Sequence, residues 1–482
     1  VATPDYYAIL GVSPRATQEE ITAVFNRQVQ RFPKEARDPT CNVAFRQLVV
    51  AYRVLSNQES RETFDQTRTT HVISGSQALK VQLFVSQTTL PAVEEVQLFY
   101  LLLDISANPA LSRKKPPVNL GLVVDRSTSM KGARINQVKA AASLIAGQLE
   151  PQDSFSLVVF SDRAEVIVPA GRVENKSRIK SKISQISTGG ATEMLRGLQL
   201  GLVELRKAKG FSEISHLILL TDGHTYGDEK ECIQLAEQAA ANGVGISALG
   251  IGHKWNDSFL DELVASSGSS SAYLESPQKV VEYLQERIKT LNHAFAQDAQ
   301  LRLDLPAGIR ARSVNKLSPF PQPVVYSNRA MPLGTLEHNV PLSVLVELVA
   351  QPHPPDTLAY LLVDISANIV PTGQRAQHFV SQLELDFALN PPQKPPLPAI
   401  VRAVNKLNLY KMNEKAWEEV EQGKIEQATR RMERLGTHLL NAGQTRLART
   451  AFEEATNIAR TGHLSAVGRK KLKYGTRALI GQ

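Results

Sequence analysis

Cysteine and tryptophan are scarce, with two of each in 482 residues. Cys41 and Cys232 stand far apart and outside any paired motif. That excludes a disulfide framework and a cysteine-based zinc site, and leaves buried structural thiols. Long apolar runs are missing too. No stretch approaches the roughly 18 consecutive apolar residues a membrane span needs, and even Val96 to Ile105 is interrupted by Gln97 and Asp104. The N-terminus has an acidic start at Asp5 and no basic-then-apolar leader, so a cytoplasmic chain with no transmembrane segment is expected. Also absent are a Gly-x-Ser-x-Gly elbow and a Gly-Lys-Ser or Gly-Lys-Thr phosphate loop. His224 and His253 have no nucleophile at meaningful spacing, and the chain reads as non-enzymatic.

Charge is present in ordinary amount but unevenly placed. Between Pro398 and Gln482 there are 16 Lys and Arg against 8 Glu and no Asp, which accounts for the whole net charge of +8. Such a segment could meet nucleic acid or an anionic membrane surface. Glu and Lys interspersed at helical spacing favour instead a solvated helix face, which makes nucleic acid an unlikely partner.

The chain is long enough for several domains. Residues 1–70 read as helical. Thr17 followed by Glu20 is a capping box, with Pro14 just ahead, so a helix should start at Gln18 and end at Pro33. Ile21, Val24, Phe25, Val29 and Phe32 share one face. Phe45, Leu48, Val49, Tyr52 and Leu55 mark a second helix, antiparallel to the first, with aromatic side chains between the two. The stretches Asp5-Tyr6-Tyr7-Ala8-Ile9-Leu10-Gly11-Val12, Ala51-Tyr52-Arg53-Val54-Leu55-Ser56 and Phe64-Asp65 resemble a J-domain. In that family a His-Pro-Asp loop after the second helix engages the heat-shock chaperone ATPase. Here Pro33-Lys34-Glu35 stands in its place, so the resemblance implies a degenerate J-like module kept as a docking surface. An active co-chaperone delivering clients is the alternative.

From Leu79 the pattern changes to that of strands: Leu79 to Val85, Val96 to Ile105, and later Leu301 to Leu305, Ile309 to Val314, Leu342 to Leu348, Leu358 to Asp364 and Phe379 to Ala388. Tyr100-Leu101-Leu102-Leu103-Asp104-Ile105-Ser106-Ala107-Asn108 recurs as Tyr360-Leu361-Leu362-Val363-Asp364-Ile365-Ser366-Ala367-Asn368 with one difference. Residues 75–112 and 295–390 therefore read as one β-sandwich interrupted by residues 118–291. That inserted part alternates strands (Leu120 to Val124, Phe155 to Phe160, His216 to Leu220, Gly245 to Ile251) with amphipathic helices, as in a doubly wound parallel sheet. Phe155 to Phe160 and Ala164 to Val168 should form an antiparallel hairpin at its edge. After a Pro-rich linker, residues 391–397, four helices are predicted over 399–421, 425–441, 445–461 and 465–478.

The apolar run Leu120-Gly121-Leu122-Val123-Val124 stops at Asp125-Arg126-Ser127-Thr128-Ser129, collecting a carboxylate and two hydroxyls at the carboxyl end of a strand. Open α/β sheets bind ligands there. Thr192, in Gly189-Gly190-Ala191-Thr192-Glu193, and Asp222, in Leu219-Leu220-Thr221-Asp222-Gly223, lie on neighbouring loops, so that Asp125, Ser127, Ser129, Thr192 and Asp222 could surround one ion. All are hard oxygen donors suited to magnesium or manganese. Here the sequence closely resembles a von Willebrand factor type A domain, a Rossmann-like fold, and all five residues match its metal-ion-dependent adhesion site. The resemblance implies an ion with one coordination position left for a Glu or Asp of a protein partner. Arg126 and Thr128 replace smaller residues usual in that loop and would alter access or charge. The expected molecule is an interaction scaffold of α/β, β and α domains, with further protein partners at its J-like and C-terminal helical ends.

Overall fold

The computed structural model describes the chain except for residues 1–5, 13–15, 34–42, 59, 62–77, 110, 112–114, 209–213, 226, 277, 328–329, 393–394, 396 and 481–482. Among the described residues sixteen strands follow in chain order. They are β1 Leu79–Val85, β2 Thr89–Pro91, β3 Gln97–Ala107, β4 Val118–Asp125, β5 Ser154–Phe160, β6 Ala164–Arg172, β7 Ile214–Thr221, β8 Val244–Ile251, β9 Ser271–Leu274, β10 Ala294–Asp304, β11 Ile309–Ser318, β12 Gln322–Val324, β13 Met331–Glu337, β14 Leu342–Ala350, β15 Thr357–Ile369 and β16 Gln374–Ala388. Two five-stranded sheets have the orders β1-β3-β14-β11-β12 and β13-β10-β15-β16-β2; a third, six-stranded, runs β6-β5-β4-β7-β8-β9.

The five-stranded sheets share one apolar core, with β1 to β3 supplied before the six-stranded sheet and β10 to β16 after it. The recurring nine-residue pattern falls on β3 and β15, an interior strand of each sheet. Alternation along a strand sends successive side chains to opposite faces. Leu101, Leu103 and Ile105, and likewise Leu361, Val363 and Ile365, therefore enter the shared core. The outward residues find different neighbours. Tyr100 and Leu102 pack with Ile400, Ala403 and Leu407 of the helix Pro398–Glu421, whereas Tyr360 and Leu362 pack against the N-terminal helical unit. Each outer face of the sandwich thus carries one helical unit.

Patterning predicts none of β2, β9, β12 and β13. The first three are only three or four residues long, too short for a period to show, and β13 contains Pro332 and Gly334.

The N-terminal helix Gln18–Arg31 begins where the capping box predicts: Thr17 Oγ1 accepts from the Glu20 N–H at 3.2 Å, and Glu20 Oε2 from the Thr17 N–H at 2.8 Å. Phe25 stacks on Tyr52 with ring centres 3.9 Å apart, and Phe32 meets Phe45 edge-on at 5.2 Å, so the aromatic seam between the two helices is formed. A short helix, Tyr6–Leu10, adds to this unit, and the Tyr6 hydroxyl donates to Gln382 Oε1 of β16 at 3.0 Å. Lys34 and Glu35, at the position of the family's His-Pro-Asp, lie outside the described residues, as do Asp5, Pro14, Cys41, Phe64 and Asp65.

In the six-stranded sheet β4, β5, β7, β8 and β9 are parallel, and β6 folds back on β5 as the expected antiparallel edge. Helices cover both faces over two apolar clusters. The C-terminal helices Pro398–Glu421, Ile425–Asn441, Thr445–Thr461 and Ala466–Ile480 lie within two residues of their predicted ends and close on a core that includes Leu409, Met432, Leu435, Ile458 and Leu472.

Their basic character needs a correction at three positions. Lys470, Lys473 and Arg477 are each no more than 5% exposed, so they form neither a solvated face nor a surface for an external polyanion. The reason is geometric. Asp257 and Asp261 lie one turn apart on the helix Asp257–Ala265 and present carboxylates to Lys473 and Arg477, themselves one turn apart on Ala466–Ile480. Among the described residues no helix is long and apolar enough to cross a membrane.

Candidate metal centre

Strands β4 and β7 are parallel neighbours, so the loops leaving their carboxyl ends emerge side by side. Asp125, the last residue of β4, is fully buried. Its Oδ1 accepts from the Ser127 N–H at 2.8 Å and its Oδ2 from the Thr221 hydroxyl at 2.8 Å. Ser127 Oγ and Ser129 Oγ are 3.0 Å apart, and the Ser129 hydroxyl donates to Asp222 Oδ1 at 2.6 Å, which joins the first loop to the loop after β7.

Thr192 arrives on a third loop that is fastened to both its neighbours. The Thr128 N–H and hydroxyl both donate to the Gly190 carbonyl at 3.2 Å, the Gly189 N–H donates to the Arg126 carbonyl at 2.8 Å, and the Met194 N–H donates to Thr225 Oγ1 at 3.3 Å. The Thr192 hydroxyl oxygen stands 3.6 Å from where a Cβ on Gly223 would be, beside Asp222. Asp125, Ser127, Thr192 and Asp222 are buried, and Ser129 is exposed.

Burial pushes Asp125 up to about 6. Hydrogen bonds from Ser127 and Thr221 pull the other way, and the nearby Asp222 adds to the rise. Two buried carboxylates this close, one of them partnered only by neutral donors, form an arrangement that a divalent cation offsets. Among the described residues no group of three or more His, Cys, Asp and Glu could hold a metal ion. An ion here would therefore depend on the hydroxyls of Ser127, Ser129 and Thr192 beside the two aspartates. This hard, all-oxygen set fits Mg2+ or Mn2+.

Two participants escape sequence reasoning. Thr221 orients Asp125, and only its place beside Asp222 in the strand-end motif could have drawn notice. Arg134, on the first turn of the helix Ala133–Gln148, donates from Nη1 to the Ser129 carbonyl at 2.8 Å and to Asp222 Oδ2. Arg126 turns toward the β6 hairpin and pairs with Glu165 at 3.3 Å. On β8, Gly250 serves packing: a Cβ there would lie 1.9 Å from the Trp255 indole. Cys232 is buried, and burial pushes its thiol up, as expected of a structural cysteine.

Comparison with known proteins bears on this architecture. Residues 119–287 match the family model of the von Willebrand factor type A domain, residues 5–65 that of the DnaJ domain, and residues 398–482 that of the Sll0103-like C-terminal alpha-helical domain. The uncharacterized protein sll0103 of Synechocystis sp. is 30% identical over 228 residues, 47% of this chain and 54% of that protein. Inter-alpha-trypsin inhibitor heavy chain H1 of Mesocricetus auratus is 30% identical over 196 residues, 38% of this chain and 21% of that one. The chain thus spans about half the length of the first relative and a fifth of the second. A von Willebrand factor type A protein from Catenulispora acidiphila shares the fold over 84% of this chain and 98% of its own, with a TM-score of 0.67 at 17% identity. The chain therefore carries a Rossmann-like von Willebrand factor type A domain, preceded by a DnaJ-type helical region and followed by a four-helix C-terminal domain.

Proposed function

We propose that the type A domain is a divalent-cation-dependent clamp for an acidic side chain of a protein partner, held together by Asp125, Ser127, Ser129, Thr192 and Asp222 around Mg2+ or Mn2+. The type A and DnaJ matches make protein interaction the coarse function; the metal and its mode of use are the reading advanced here. The observation that carries it is the joining of the strand-end loops by the Ser129 to Asp222 bond, with Thr192 beside them.

Each residue has a distinct task in this reading. Asp125 is fixed in orientation by the Ser127 amide and Thr221, so it needs little rearrangement to serve as a ligand. Ser129, exposed, stands where a partner would approach. A bound cation left one donor short attracts a further anionic oxygen, and a Glu or Asp supplies it. The J-like unit and the four C-terminal helices, on opposite outer faces of the sandwich, serve as additional docking units.

Affinity purification of partners with the full chain, with and without a chelator, and with Asp125→Ala and Ser127→Ala, tests the clamp. At least one partner is expected to disappear under all three treatments. A partner set untouched by any of them would sink the reading.

A further inference from the structure

Arg134 is oddly placed. A cation in the first turn of a helix opposes the helix dipole, yet its guanidinium bonds both the Ser129 carbonyl and Asp222 Oδ2, with a third of the side chain exposed. It therefore shares one carboxylate of the proposed ligand set and sets a positive charge beside it. A like charge at that distance weakens cation binding.

The surroundings of Arg134 lead away from the site. Its Nη2 stands 3.4 Å from where a Cβ on Gly252 would be, and Gly252 has a φ of +73°, so this turn lets the guanidinium pass close over the backbone. The Gly252 carbonyl accepts from Trp255 Nε1 at 2.7 Å. The carbonyls of His253 and Trp255 in turn accept from Lys470 Nζ at 2.9 and 2.6 Å, and Lys470 lies 4.6 Å from the Trp255 ring centre. Lys470 belongs to Ala466–Ile480, which Lys473 and Arg477 anchor on Asp257 and Asp261. The C-terminal domain thus holds the Gly252–Trp255 loop, and the guanidinium that bonds Asp222 lies over the first residue of that loop.

We propose that Arg134 sets the cation affinity of the type A site, and that the docked helix Ala466–Ile480 holds it in that role through the Gly252–Trp255 loop. This rests on the metal-dependent reading above. Docking of the helix keeps affinity low. Loosening it, as a partner seated on the C-terminal domain would do, frees Arg134 and raises affinity. By linkage, cation binding loosens the helix to the same extent.

The test is Mn2+ binding to the full chain, read from the spectrum of free Mn2+. Arg134→Gln is expected to bind roughly tenfold more tightly than the wild type, and Arg134→Lys to stay near it. Lys470→Gln should shift affinity in the same direction. The double variant should bind no more tightly than Arg134→Gln alone, since both changes act through one contact. Hydrogen exchange of residues 466–480 in the wild type, faster with saturating Mn2+ than without it, carries the same test with no substitution. An Arg134→Gln affinity equal to or weaker than the wild type, with the wild type binding Mn2+, overturns this inference alone. Additive effects of the two substitutions, or exchange unchanged by Mn2+, overturn the coupling. A wild type that binds no Mn2+ overturns the clamp and this inference with it.

Discussion

Arg477 grips Asp261 with both arms of its guanidinium, Nη1 donating to Oδ1 at 2.9 Å and Nη2 to Oδ2 at 2.8 Å, across 216 positions of sequence. Burial alone would raise Asp261, but Arg477 and then Lys473 hold its carboxyl well below the ordinary range. Removing one member of a buried pair strands the other and costs about 3–5 kcal/mol. Asp261→Asn is expected to destabilise the joint between the type A and C-terminal domains by that order. Both tryptophans flank the joining helix, Arg469 lying 3.4 Å from the Trp417 ring centre and Lys470 4.6 Å from that of Trp255. Intrinsic fluorescence during urea unfolding therefore reports the loss.

Gly250 is enforced by packing. A methyl there would meet the Trp255 indole at 1.9 Å, and the indole is wedged between β8 and the C-terminal helix, 5.8 Å from the Tyr474 ring. Gly250→Ala is expected to cost at least the roughly 1–3 kcal/mol of an overpacked core. Thermal unfolding gives the stability loss, and a changed Trp255 emission gives its location.

Leu362 and Leu102 hold equivalent positions of the repeated pattern on opposite outer faces of the sandwich. Leu362→Glu places a charge under the J-like unit while leaving the inward residues Leu361 and Val363 untouched. The expected result is faster proteolysis of the N-terminal unit with type A and C-terminal segments as resistant as before, followed by mass spectrometry of a timed digest.

Lys316 is buried and donates to the carbonyls of Gly268 and Leu333, where the type A domain meets β13. Burial, and then Arg287, push its ammonium down to about 7 from an ordinary 10.5. Between those values the unfolded chain keeps a proton that the folded chain has released, so stability rises with pH through that window, by at most about 1.4 kcal/mol per unit. Well below pH 7 the lysine is charged in both states and the burial cost is felt in full. Subtracting the stability-against-pH curve of Lys316→Met from that of the wild type should isolate this rise; a flat difference between pH 7 and 10 would contradict it.

Much of this architecture is legible along the chain because it is written in local periods. The continuous apolar runs of β4, β5, β7 and β8, the capping box at Thr17, and the glycine-punctuated C-terminal helices each depend on residues within a few positions of one another. The strand-end positions of Asp125 and Asp222 follow from the same runs. Relations between distant segments lie beyond any period. Nothing near Arg134 announces that it meets Asp222, and nothing near Lys470 that its ammonium holds the loop at Trp255.

The sequence by itself determined the order of helical, sandwich and α/β segments, and it placed four of the five candidate oxygen donors at strand ends and Thr192 on a loop, because hydrophobic periodicity and turn chemistry act locally. Only the tertiary structure decided where the charges of the C-terminal segment go. An excess of Lys and Arg fixes the sign of a segment's field, not its direction. The juxtaposition of Asp257 and Asp261 with Lys473 and Arg477, more than two hundred residues on, turned part of that excess inward, where burial makes each pair too costly to break singly.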